Sequence, residues 1–472
     1  MIENIRNNRT SENQAVQEAV NKAQAVQSKL NAMVTFIDPS EQLNHINEHE
    51  DGLMAGVPIV LKDNVSTKGI RTTASSKILD NYVPVYNAHI VDLLEKAGAI
   101  CIGKSSMDEL AMGGTNLTAA TGAVANPWDT TRISGGSSGG SAVLVASGVV
   151  PFAIGSDTGD SVRKPAAYCG VVGVKPTYGR ISRYGVIPYS SSLDHVGYFT
   201  RNVLDACIGL EVLAGRDDRD MTSSTKDVPP YSKLLNDSLK GRKIGIIRNV
   251  VDSIQNETNV KLFNELIDKM KNEGAEIIDV HFDNKLMRAI LPTYYMIANC
   301  EATANHSNLD GIRFGVQADG DSSENVMINS RTQGFGIQVR KRFITGSYGL
   351  FVENQEKLFR KAQRVRRLIV NMMDNELVNL DCLIAPASST IAPKIIGEKI
   401  DELAEEYLVA ENHMVMGNFS GYPSMTLPMG FEQGCPLGVN ITCKAFDEVT
   451  MFNIASGIEK CTGLKDSIAE VK

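Results

Sequence analysis

Two serines and a lysine carry the chemistry that this sequence offers. Ser161 stands in "GSDTGDSVRKPA" (155–166) and Ser137 in "SGGSSGGSAVLVASG" (134–148). A serine hydroxyl becomes a nucleophile only when a base takes its proton. His195, the nearest downstream histidine, sits in "SSLDHVGYF" and is read as a structural or surface residue. A lysine serves instead, provided that burial keeps it neutral at rest. Lys62 suits that role, because it ends the apolar run of "GVPIVLKDN" (56–64). The turn around Ser161 is rich in Gly, Asp and Thr. Such a turn aims consecutive backbone N–H groups at one point, the geometry of an oxyanion hole.

These residues need elements to hold them. The Gly/Ser cluster reads either as a flexible linker or as a tight loop before a helix N-terminus. The second reading is preferred, because the apolar run 142–146 follows at once. There glycines permit close approach, and hydroxyls sit beside free N–H groups. Strands are predicted at 33–37, within 56–64, at 241–247 and in the apolar run before Ser161. The segments 88–106 and 259–280 each read as helix, Gly stop, strand. Ser11 and Gln14 have capping-box spacing and open a helix over 11–30. Strands alternating with helices predict an α/β fold with a largely parallel or mixed sheet. The segment 216–240 is the most loop-like, and 317–334 is polar and expected to be mobile.

Several function classes are disfavoured. Residues 98–105, G-A-I-C-I-G-K-S, match the Walker A pattern. A phosphate loop must present its middle N–H groups to the ligand. Here the middle residues are the apolar body of a predicted strand, so the match is rejected. The net charge of −8 argues against direct nucleic-acid binding. Eight cysteines without a CxxC pair read as reduced thiols of a cytoplasmic protein. No zinc-ligand spacing appears, so no metal or other cofactor is expected in this chain. No apolar run is long enough to span a membrane, and no signal peptide is read at the N-terminus.

In order and spacing, "GVPIVLKDN", "GGTNLTAATGAVANPWD", "SGGSSGGSA", "GSDTGDSVRKPAAYCGVVGVKPTYGRIS" and "SSLDHVGYFTRNV" resemble the amidase-signature family. "YYMIANCEATANHSNLDGIRFG", "GFGIQVRKRFITGSY" and "KAQRVRRLI" are similar to one branch of it, the glutamine-hydrolysing subunits of tRNA-dependent amidotransferases. The resemblance implies one domain over 1–472 with a central mixed sheet covered by helices on both faces. Its parts would be a helical segment (1–52), a catalytic core (53–215), a substrate-covering part (216–405) and a return to the core (406–472). It implies a Ser–cisSer–Lys triad, with Ser161 as nucleophile, Ser137 as bridging serine in a cis peptide and Lys62 as base. The N–H groups of Thr158, Gly159, Asp160 and Ser161 would hold the oxyanion. Arg342, with Arg340 as competitor, would take the glutamine carboxylate, and Glu411 the ammonium. Tyr294, or its neighbour Tyr295, would lie against the substrate. The implied partners are glutamine, GatB-like and GatC-like subunits and, mainly through the former, misacylated tRNA. ATP and Mg would be used by the partner subunit.

The resemblance leaves two alternatives open, a stand-alone amidase for another small amide and a scaffold subunit whose site has decayed. The family usually has Gly where this chain has Asp160, and often Gln where it has Lys164. The expectation is that Asp160 turns from Ser161 and is neutralised by Lys164 or Arg163.

Overall fold

The chain folds around eleven strands. They are β1 (Met33–Phe36), β2 (Pro58–Lys62), β3 (Ile100–Ser105), β4 (Phe152–Asp157), β5 (Val172–Lys175), β6 (His195–Thr200), β7 (Lys243–Ile247), β8 (Glu276–Val280), β9 (Cys382–Pro386), β10 (Ser424–Glu432) and β11 (Cys435–Cys443). All join one mixed sheet in the order β1-β3-β2-β4-β6-β5-β10-β11-β9-β7-β8. The computed structural model describes residues 1–7, 12–45, 49, 51–396, 404 and 406–471.

The sheet is covered on both faces, and β2 shows why. Every residue of β2 is buried. Ile59 and Leu61 enter one core, and Val60 enters another. That is the period of two expected of a strand with apolar neighbours on either side. The first core runs the length of the sheet beneath helices Val203–Leu213, Glu257–Asn272 and Glu448–Thr462. The opposite face carries two cores. Helices Glu12–Leu30 and Gly139–Ala146 cover one end. Helices Ile290–Asn305, Ile337–Leu350 and Phe359–Leu377 cover the other.

Most predicted elements appear where the pattern placed them. The 98–105 run supplies β3, with Ile100 and Ile102 in the core behind it, so its middle N–H groups belong to a strand. Segment 216–240 contains only the short helix Tyr231–Leu234. Ser11 lies outside the described residues. Residues 323–334, read as mobile, instead form a helix whose first turn is capped by the Ser322 side chain accepting from the Asn325 N–H. Such a cap supplies one of the partners that a helix start lacks, and a polar sequence gives little periodicity by which to detect the helix.

The topology brings the reactive segments to one edge. Strands β2 and β4 pair in parallel, Ile59 with Phe152 and Val60 with Ala153. Their C-terminal ends therefore point the same way. Lys62 closes β2, and the loop after Asp157 closes β4 and leads into helix Arg163–Cys169. In open α/β sheets, ligands collect at such carboxyl ends.

Candidate active site

Lys62 is fully buried at the end of β2. Its Nζ lies within hydrogen-bond distance of Ser137 Oγ (2.8 Å), Ser138 Oγ (2.8 Å), Ser156 Oγ (2.9 Å) and Ser156 O (3.3 Å). No carboxylate lies within ion-pair distance among the described residues. Burial therefore dominates and pulls the ammonium down to about 7, against the pull of Asp108, Asp157 and Asp194 further off. A lysine in this state exchanges a proton near neutral pH.

The Gly136–Ser137 peptide is cis. It is framed on both sides by backbone bonds, Gly136 N–H to Gly114 O (2.9 Å) and Asp108 N–H to Ser137 O (3.2 Å). Asp108 also accepts from the Asn116 N–H (2.8 Å) and the Thr118 hydroxyl (2.8 Å). A Cβ on Gly136 would lie 2.0 Å from Asp108 Oδ2, so only glycine lets the loop approach this closely.

Ser161 sits on the β4 loop, beside the cis-serine segment: the Ser138 N–H donates to Ser161 O (3.2 Å). Its hydroxyl has no hydrogen bond among the described residues and faces a cavity of about 610 Å³. The N–H groups of Gly159, Asp160 and Ser161 also donate to nothing within the described chain. Thr158 fixes the start of the loop by donating its hydroxyl to Asp194 Oδ1 (2.7 Å). At Gly159 a Cβ would press against the Tyr294 ring at 3.0 Å, so the glycine lets that ring close over the loop.

A buried ion pair sets the loop's shape. Arg163 forks onto Asp157, Nε to Oδ2 (3.1 Å) and Nη2 to Oδ1 (2.8 Å), and Nη2 also reaches Gly159 O (2.8 Å). Asn418 donates to Asp157 Oδ1 (2.9 Å) and accepts from Arg163 (2.6 Å). Burial works against the Asp157 charge, yet the guanidinium holds its carboxyl well below the usual carboxylate range.

The predicted site residues Gly159, Asp160, Ser161, Tyr294, Arg342 and Glu411 line this one cavity. Its volume falls within the 300–1,000 Å³ range of small-molecule sites. Tyr295 lines it as well, whereas Arg340 is exposed and does not. Arg342 donates to the Tyr189 hydroxyl (2.8 Å) and has no carboxylate partner among the described residues. Glu411, in contrast, is occupied: Lys164 Nζ lies 2.8 Å from Oε2, and Ser389 donates to Oε1 from its N–H (2.6 Å) and its hydroxyl (2.5 Å). Burial disfavours the Glu411 charge, but Lys164 holds that carboxyl below its ordinary value.

The expectation for Asp160 therefore needs correction. Arg163 is committed to Asp157 and Lys164 to Glu411, so neither forms an ion pair with Asp160. Burial pushes the Asp160 carboxyl up to about 6, against the attraction of Lys164. His195 is structural and not a surface residue: its Nδ1 meets Leu193 O at 2.7 Å within a buried strand. Ser138, Ser156, Asp157 and Asn418 carry no motif of their own in the sequence. The signal for the two serines is their closeness to Ser137 and Ser161.

A family model described as Amidase matches residues 14–452. The chain belongs to the amidase family. The GatA subunit of glutamyl-tRNA(Gln) amidotransferase from Shouchella clausii (strain KSM-K16) is 42% identical over 93% of this amidase and 91% of the relative. The subunit of that name from Methanosarcina acetivorans is 43% identical over 92% and 91%. A crystal structure of the corresponding glutamyl-tRNA(Gln) amidotransferase subunit from Thermotoga maritima is 32% identical and superposes with a TM-score of 0.84, covering 100% of this amidase and 98% of that chain. The mixed sheet with helices on both faces is thus the fold of the family. No helix among the described residues of this amidase is long and apolar enough to cross a membrane.

Proposed function

We propose that this chain hydrolyses the side-chain amide of glutamine, as the ammonia-producing subunit of a tRNA-dependent amidotransferase. The observation that carries the reading is Lys62, buried, held near 7 and bonded to Ser137 at 2.8 Å, beside a loop that presents Ser161 to a cavity with an unpaired arginine. Neutral Lys62 takes the Ser137 hydroxyl proton as Ser137 takes that of Ser161. Ser161 Oγ attacks the amide carbon, and the negative charge moves to the amide oxygen. The idle N–H groups of Gly159, Asp160 and Ser161 receive it, helped by the loop's preset shape. The proton returns through Ser137 to the nitrogen, the C–N bond breaks and ammonia leaves. Water then attacks the glutamyl ester, giving its proton to the same relay, and glutamate departs as Ser161 recovers its hydrogen.

Arg342 takes the substrate carboxylate in this scheme. Its planar fork suits a carboxylate, and no carboxylate among the described residues pairs with it. Arg342→Met is expected to raise KM for glutamine by about 100-fold with a smaller change in kcat, measured as ammonia release. An unchanged KM would remove Arg342 from the site.

The pH profile follows from Lys62. Its lowered value means that the protonated, inactive form predominates below about 7. The value of kcat/KM for glutamine is expected to rise with pH on the acid side and to level off above that point. A profile flat from pH 5 to pH 9 would rule out a titrating base.

The ammonia passes to a GatB-like subunit that uses ATP and Mg to amidate Glu-tRNA(Gln). A GatC-like subunit completes a cytoplasmic heterotrimer. The test is purification of the tagged chain from its own cells, with ammonia release assayed on glutamine and on simple aliphatic amides. Glutamine turnover with two co-purifying subunits supports the reading. Turnover of aliphatic amides without glutamine preference overturns it in favour of a stand-alone amidase.

A further inference from the structure

The cavity wall contains a carboxylate that the scheme above leaves without a task. Free glutamine carries an α-carboxylate and an α-ammonium, so its site needs a fixed cation and a fixed anion. Arg342 is the cation. Among the described residues three carboxylates line the cavity, and two are engaged. Glu411 receives Lys164 (2.8 Å) and Tyr168 (3.4 Å) on Oε2 and two donors from Ser389 on Oε1. Four donors fill the roughly four lone-pair positions of a carboxylate, and Lys164 cancels its charge. Glu406 accepts from the Gln255 N–H (3.0 Å). The Asp160 carboxylate accepts no hydrogen bond and forms no ion pair among the described residues, its only bond being the Lys164 N–H to its backbone carbonyl (2.8 Å), and it adjoins Ser161 in the chain.

Reach favours the same residue. The glutamine nitrogen lies four bonds from the amide carbon, about 5 Å when extended, and adjacent Cα atoms are about 3.8 Å apart. A carboxylate next to the attacking serine is therefore within range of the ammonium once the amide is in place. We propose that Asp160 is the specificity-determining carboxylate that receives the α-ammonium of glutamine.

The proposal rests on the glutaminase reading and adds a consequence. A bare carboxylate beside the oxyanion opposes its charge, and a bound ammonium cancels that opposition. Substrates with an α-ammonium thus complete the electrostatics of the loop, and substrates without one meet an uncompensated negative charge. Discrimination should appear in kcat as well as in KM, because it acts on the transition state.

The test compares glutamine with glutaramate, which has the same amide and carboxylate and no α-amino group. The full chain is assayed in whatever complex it purifies with. The readout is kcat/KM for glutamine divided by that for glutaramate. Asp160→Asn is expected to lower this ratio by about 100-fold, the scale for losing a charged partner of the substrate. Asp160→Glu is expected to retain most of it. If Asp160→Asn does not fold, Asp160→Gly must show the same fall. Labelling of Ser161 by a serine-directed phosphonofluoridate verifies that the nucleophile survives in each variant. A ratio that moves less than about threefold in a labelled variant overturns the proposal, because another group then holds the ammonium. A wild-type protein without glutamine turnover overturns the glutaminase reading itself and the proposal with it.

Discussion

Replacing Ser161 with alanine is expected to lower kcat for glutamine by roughly 10⁴- to 10⁶-fold, the scale for deleting a serine nucleophile from a relay that acts as a unit. The fold should not notice. The side chain is 4% exposed, and its hydroxyl serves no partner among the described residues, so its removal leaves no buried group unsatisfied. Stability should stay within about 0.5 kcal/mol of wild type. Two further measurements separate loss of the nucleophile from general damage. Trapping with hydroxylamine should yield glutamyl hydroxamate from the wild type and none from Ser161→Ala, because only an acyl-enzyme is intercepted. Adding Lys62→Met to Ser161→Ala should cost little more, since a base without a nucleophile has nothing to activate. A Ser161→Ala protein with kcat within about tenfold of wild type would end the assignment.

The parts of this site that were legible in the sequence are those fixed by local chain. Lys62 could be placed because a buried strand that ends in charge announces itself through its apolar run, and β2 ends at that residue. The loops of Ser137 and Ser161 could be placed because small residues followed by a helix-forming run mark a tight turn. What could not be read is what depends on distant pairing. Ser156 meets Lys62 because β2 and β4 are neighbours. Lys164 meets Glu411, and Arg163 meets Asn418, across hundreds of residues. The choice between Arg340 and Arg342 shows the limit clearly. Helix Ile337–Leu350 buries Val339 and Phe343, and the two arginines flank that face on opposite sides. Periodicity marks both as boundary residues; only the packed helix tells which flank borders the cavity. Asp160 was the converse case. Its oddity was visible, and its neighbours in sequence were credible partners, but both cations were already committed elsewhere.

That commitment makes Arg163 the other site of large effect. Arg163→Met is expected to destabilise the protein by about 3–5 kcal/mol, the cost of breaking a buried ion pair from one side. The wild-type side chain is fully buried and forks onto Asp157. It also donates to Gly159 O (2.8 Å), Met414 O (2.7 Å) and Asn418 Oδ1 (2.6 Å). Methionine fills the space and satisfies none of these groups, and it leaves the Asp157 carboxylate buried without its cation. Arg163→Lys should recover only part of the loss, because an ammonium cannot reproduce the two-pronged contact. The pH dependence has a definite sign. Without Arg163 the folded-state value of Asp157 rises above its unfolded value, so the variant's native state favours the protonated carboxyl. Its deficit relative to wild type should therefore be smallest at acidic pH and grow as pH rises through the new value. Denaturant midpoints at several pH values measure this, and a deficit independent of pH would mean that packing, not the stranded charge, is responsible. Catalysis should suffer in the molecules that remain folded. Arg163 holds the Gly159 carbonyl and so fixes the N–H groups that face the oxyanion. A shift of about 1 Å in such a loop costs on the order of 100-fold in rate. The loss should fall on kcat rather than on KM, because Arg342, which holds the substrate's carboxylate in this scheme, sits on a separate helix.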